Sequence, residues 1–273
     1  MVAPLPHIQN ELAKLQANAD KLHQEFAQAY RSYLSTLSKS VQPQLVQVCF
    51  MLCTERHASE FLKLSLTQRQ SLQQDIQKIG FQLGQNLIEL GNNHFSVVSI
   101  TESDAETSAE FSAEPAVQQT PEELLTDVQK LETAISDALV AASLEVNRTL
   151  EKYKILQIKS LEALFEIAAK ANKAGRSITN PPLLVKAIID TKVETKDEEK
   201  KSSPQPLTAI YLHLADLEFA DAALLGDRQP LRQLNQSLDR LQKRYSQKLE
   251  EQVMAEASAA WRASWYSYTP PEA

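Results

Sequence analysis

Thr120-Pro-Glu-Glu-Leu-Leu-Thr-Asp-Val-Gln-Lys-Leu-Glu-Thr-Ala-Ile135 opens the stretch on which the fold turns. Threonine is a preferred helix cap, proline suits the first helical position, and Glu123 completes a capping box. From Leu124 the apolar residues recur at helical spacing through Val128, Leu131, Ile135, Leu139, Ala142, Val146, Leu150 and Tyr153. Residues 122–174 contain neither glycine nor proline, so nothing local interrupts a helix there. One helix over 121–174 is predicted, with Lys170, Lys173 and Arg176 complementing its C-terminal dipole and Gly175 ending it.

The same pattern extends outward. Ile8, Leu12, Leu15, Ala19, Leu22, Phe26, Ala29 and Tyr33 alternate steps of four and three. That 3.5-residue period is the seam of a coiled coil or helical bundle. This helix is expected to stop before Pro43. A second helix is expected over 44–64 and a third over 67–90, with Gly91 as its C-terminal cap. Together 1–91 read as a three-helix unit. Residues 92–119 read as an acidic linker, since Glu102, Asp104, Glu106, Glu110 and Glu114 sit among small polar residues without a Lys or Arg. Its first part, Phe95-Ser-Val-Val-Ser-Ile100, can pair as a strand or simply pack. Residues 120–190 read as the long helix plus a short one beginning at Asn180-Pro-Pro-Leu183. Lys and acids are near-balanced from Lys192 to Lys201 before Ser202-Ser-Pro-Gln-Pro206, so 191–206 read as a second linker. Residues 207–268 read as a C-terminal unit of two helices split at Gly226-Asp227 and Pro230, with Asp221 interrupting the apolar stripe of the first and Leu231, Leu234, Leu238, Leu241, Tyr245, Leu249 and Val253 marking that of the second. The fold class is all-α, elongated, built from long helices.

Composition narrows the function. Five glycines in 273 residues, against an average near 7%, leave few positions for phosphate-cradling loops or Rossmann turns. A net charge of −7 argues against a globally basic nucleic-acid coat. No apolar run approaches the ~20 residues that span a bilayer, and Met1–His7 lacks the character of a secretory signal. Two cysteines make no disulfide framework, and a cytoplasmic location is expected.

Cys49, Cys53 and His57 stand at i, i+4 and i+8. That spans ~12 Å of helix, too far for three ligands to converge within ~2.3 Å of one zinc ion, so core packing is expected instead. Gly80-Phe-Gln-Leu-Gly84 is a small-xxx-small pattern suited to close packing of two helices. His7, His23, His94 and His213 show no spacing of a catalytic triad. No enzyme activity, metal or cofactor is expected.

The C-terminal helix carries the candidate site. Arg228, Arg232, Arg240, Arg244 and Lys248 recur at multiples of four beside Lys243, and Trp261, Arg262, Trp265 and Tyr266 follow. Trp, Tyr and Arg are the residue types enriched at interface hot spots. Partner-binding roles are therefore assigned to Arg232, Arg240, Arg244, Lys248, Trp261, Arg262, Trp265 and Tyr266. The bland alternatives are a solvated basic face and rings folded back on a neighbouring helix. Docking of the acidic segment 102–114 onto the basic stripe is a further alternative.

Ile210-Tyr-Leu-His-Leu-Ala-Asp-Leu-Glu-Phe219, with Ala260-Trp-Arg-Ala-Ser-Trp265, resembles the C-terminal helices of uncharacterised cyanobacterial helical proteins. The resemblance covers about 55 residues and implies no activity. The expected function is a non-enzymatic adaptor or scaffold that binds protein partners, with self-association through the heptad helices as one route. The alternatives are a nucleic-acid-binding regulator using the stripe 228–248 and a peripheral membrane protein.

Overall fold

The computed structural model describes residues 4–95, 120–156, 183–189 and 205–265. Among them, long helices dominate: α1 (Leu5–Met51), α2 (Ala58–Leu62), α3 (Leu66–His94), α4 (Pro121–Lys152), α5 (Leu214–Ala220) and α6 (Ala222–Ala263). One antiparallel hairpin, β1 (Leu184–Ile189) with β2 (Gln205–Ile210), accompanies them. Among the described residues the fold is an all-α bundle with this one β addition. Residues group into two compact units. One draws on 1–30, 95–130 and 229–273, the other on 31–94 and 131–228.

In the first unit the apolar seam of α1 faces inward. Ile8 and Leu12 pack with Ala255 of α6, flanked by Leu5 and Tyr245, and Gln16 Nε2 donates to the Tyr245 hydroxyl at 3.2 Å. The buried stripe continues through Ala19, His23, Phe26 and Tyr30. Leu22 and Ala29, assigned to the seam by the strict heptad, are only half-buried. Phe95 simply packs: its ring lies 5.7 Å from that of Tyr30 and 5.3 Å from His23. Residues 96–119, including the rest of the expected acidic linker, lie outside the described residues. At the start of α4 the capping box forms as the sequence predicts. The Thr120 N–H and hydroxyl donate to Glu123 Oε2 at 2.8 and 2.9 Å, and the Glu123 N–H donates back to Thr120 Oγ1 at 3.3 Å.

The second unit departs most from what the sequence predicts. Helix α1 passes through Pro43 instead of stopping before it. Proline there removes one hydrogen bond at a cost of ~3 kcal/mol. Leu37, Val41, Leu45 and Val48 on both sides are buried, and at ~1.5–3 kcal/mol each their burial outweighs that loss. A π turn, Leu52–Arg56, follows and is closed by His57 N–H donating to the Leu52 carbonyl at 3.0 Å. Gly91 is not a cap but an interior residue of α3. A Cβ at Gly80, Gly84 or Gly91 would stand 3.0 Å from Gln42, Ser38 or Leu34 of α1, so the small residues of α3 set its close approach to α1.

Helix α4 ends at Lys152, well short of 174. Lys154 takes a left-handed φ of 58°. Its N–H donates to Glu151 O at 2.8 Å, and Ile155 N–H to Leu150 O at 2.9 Å. This pair of bonds is the Schellman motif. Ile155 and Leu156 are buried beyond it. Residues 157–182, with the expected Gly175 stop, lie outside the described residues.

The short helix expected from Asn180 to 190 is instead strand β1, and the 191–206 linker gives up Gln205 and Pro206 to β2. Leu184 pairs with Ile210 and Ile189 with Gln205. Short apolar runs such as Leu184-Val-Lys-Ala-Ile-Ile189 do not distinguish strand from helix by period alone. Tyr211 N–H donates to Leu183 O at 2.9 Å, so by strand alternation the polar groups of Ile210 face away from β1. Asn147 of α4 takes both: its Nδ2 donates to Ile210 O at 2.7 Å and its Oδ1 accepts from Ile210 N–H at 2.9 Å. Ser143 Oγ accepts from Leu212 N–H at 2.8 Å.

The helix expected from 207 begins only at Leu214, and Asp221 separates α5 from α6 by capping. Its Oδ1 accepts from Ala223 N–H at 2.9 Å and its Oδ2 from the Ser40 hydroxyl at 2.6 Å. The expected break at Gly226-Asp227 and Pro230 does not occur; α6 runs through all three.

Candidate functional site

The basic stripe does not share one face. A step of four residues overshoots a helical turn by ~40°, so Arg228 and Lys248 stand about 200° apart around α6. Arg228 points inward within its unit. Its Nη1 and Nη2 meet Glu132 Oε1 and Oε2 at 2.6 and 3.2 Å, and its Nε lies 3.3 Å from Glu218 Oε1. The guanidinium also sits 5.4 Å from the centre of the Tyr33 ring. Burial pulls the Arg228 pKa down, while hydrogen bonding to and the charge of Glu132 raise it above its ordinary value. The Tyr33 hydroxyl donates to Glu218 at 2.6 Å; burial first, then that carboxylate, raises its pKa. Arg228 is a structural ion-pair residue and leaves the candidate stripe.

Of the remaining cations, Lys248 is half-buried and donates to Glu251 at 2.7 Å. Arg232, Arg240, Lys243, Arg244 and Arg262 are exposed. Arg240 and Lys243 fall in one outer sector of α6 with Met254, Ser258 and Trp261, all within about 60°; Leu238, Leu241 and Tyr245 occupy the opposite side. Trp265 lies just past the helix end, its ring against that of Trp261. Arg244 and Arg262 flank that sector. The indoles of Trp261 and Trp265 are 66% and 67% exposed and meet edge to face, with centroids 6.0 Å apart. They do not fold back onto a helix. Met254 is 53% and Val253 64% exposed. The apolar spacing assigns Val253 to the core stripe and leaves Met254 off it. Their exposure depends on where the neighbouring helix packs, which no local pattern records. Tyr266 lies outside the described residues.

Burial raises both thiols, Cys53 to about 11 and Cys49 well above its ordinary value, which makes them poor nucleophiles and poor ligands. Burial lowers the His57 pKa, opposed by Glu60 at 3.9 Å. Among the described residues no group of three or more His, Cys, Asp and Glu side chains is placed to hold a metal ion. A shallow groove lined by Asn86, Glu89, Leu90, Asn93, His94 and two alanines offers no nucleophile beside its histidine. No described helix is long and apolar enough to cross a membrane.

The site therefore defines a class: a helical protein with an outward, aromatic and basic helix face. Compared with protein-family models, curated proteins and solved structures, the chain matches none.

Proposed function

We propose that this protein is a non-enzymatic adaptor that binds partners, proteins among them, through its helical surfaces, with the outer face of α6 as its docking site. The observation that carries this reading is the pair Trp261 and Trp265, two-thirds exposed, on one face with Met254 and a row of cations. Large apolar side chains left in water lose the ~25 cal/mol per Å² that burial would return. Exposed apolar side chains grouped beside cations support an interaction site there. The heptad seam of α1 supports the same assignment by elimination: Ile8, Leu12, Ala19, Phe26 and Tyr33 are buried inside the chain, so they present nothing to a second helix. The nucleic-acid reading loses Arg228 to Glu132 and Glu218.

The test compares wild type with Trp261→Ala/Trp265→Ala as immobilised baits in native extract, after circular dichroism shows equal helix content. A saturable partner retained by wild type and lost by the variant supports the docking face. Identical recovery by both baits places docking elsewhere.

A further inference from the structure

The outer face of α6 is divided along its length. Its N-terminal part presents Arg232, Arg240, Lys243 and Arg244, and its C-terminal part presents Met254, Ser258, Trp261 and Trp265, flanked by Arg262. Two carboxylates, Asp239 and Glu250, stand near the same sector, while Glu251 is engaged by Lys248. Five cations against two acids make this face positive in a chain whose net charge is −7. The two exposed indoles offer on the order of 300 Å² of apolar surface. That is well below the ~800 Å² per partner of a stable dimer, and like charge on the facing cations opposes a second copy of this chain.

A small apolar anchor next to a basic row is the combination that holds proteins on lipid. One apolar anchor alone binds only marginally, and a second, electrostatic signal makes the association stable. Tryptophan suits the boundary, since its ring is apolar and its N–H finds a partner at headgroup level. The apolar part covers about three helical turns and lies on an outward helix surface, so it needs no preformed groove. No described helix can cross a bilayer, which leaves docking on its surface.

Resting on the reading of α6 as a docking face, we propose that this face docks on an anionic lipid surface. Trp261, Trp265 and Met254 enter the headgroup boundary, and Arg240, Lys243, Arg244 and Arg262 sit over the lipid phosphates.

Both tryptophans of the protein belong to this face, so tryptophan emission, excited selectively over tyrosine, reports on it alone. Titration with phosphatidylserine–phosphatidylcholine vesicles is expected to shift emission to the blue, and brominated acyl chains are expected to quench it. Pure phosphatidylcholine vesicles are expected to leave it unchanged. Arg240→Gln/Lys243→Gln/Arg244→Gln, which keeps both indoles, should weaken binding about 100-fold at ~1 kcal/mol per removed cation. Emission unmoved by anionic vesicles overturns the proposal, and so does a triple variant that binds them as wild type does. If in that case the Trp261→Ala/Trp265→Ala bait still loses a protein partner from extract, α6 remains a docking face with a protein on it. If it loses none, both readings fall together.

Discussion

At the scale of single residues, the glycines show how local spacing and tertiary context divide the information. Gly80-xxx-Gly84 was legible as a packing signal, and the structure places both against α1. At Gly84 an added Cβ would stand 3.0 Å from the Ser38 carbonyl oxygen, a backbone atom that does not move aside cheaply. Gly84→Ala is expected to destabilise by ~1–3 kcal/mol, despite alanine's better helix propensity. Gly226 was read as a helix break, yet it lies inside α6 with nothing within 4 Å of an added Cβ. Gly226→Ala is therefore expected to stabilise by ~0.5–1 kcal/mol. Urea titration of the two variants reads both signs. Arg228 was grouped with the surface cations because side-chain direction over five steps of four is not visible in a spacing count. Arg228→Gln is expected to cost ~3 kcal/mol, since Glu132 and Glu218 are left without their cation; a surface arginine would cost next to nothing. Equal urea midpoints for Arg228→Gln and Arg240→Gln would contradict this assignment.

At the scale of elements, the start of α4 was legible and its end was not. The Thr120–Glu123 box was readable because a cap is a local exchange of hydrogen bonds between side chains and backbone. The end of α4 was not readable, because Lys154 occupies a position that usually selects glycine. What holds it there is the burial of Ile155 and Leu156, a tertiary effect. Lys154→Gly is expected to raise stability by ~1 kcal/mol through relief of the left-handed conformation, measured as a higher thermal midpoint. The hairpin was missed for a similar reason: its Ile210 end is fixed by Asn147, 63 residues away in sequence. The caps also give a pH dependence. The Thr120 backbone N–H, then its hydroxyl, lowers the Glu123 pKa, and the Ser40 hydroxyl, then the Ala223 N–H, lowers that of Asp221. Folded pKa values below the unfolded ones mean stability that is present above the ordinary carboxylate range and lost as pH falls through it, roughly from pH 5 to 3. Thermal melts across that interval should show a smaller loss for Thr120→Ala/Ser40→Ala than for wild type.

At the scale of the whole molecule, the all-α class followed from scarce glycine and from long stretches free of both glycine and proline. Which apolar residues stay in water did not follow, because Leu241 and Val253 lie on the same sequence pattern and differ only in what packs over them. The candidate site was half legible: Trp261 and Trp265 were visible as an end-of-helix pair, while Met254 and the inward turn of Arg228 required the fold. The central claim is that the aromatic end of α6 stands open to a partner instead of folding back on the chain. Acrylamide quenching of tryptophan emission in the free, full-length protein tests it most directly. The expected result is emission close to that of hydrated indole, with both rings fully accessible to quencher. Blue-shifted emission protected from acrylamide would mean that the rings are packed within the chain, and would contradict the account.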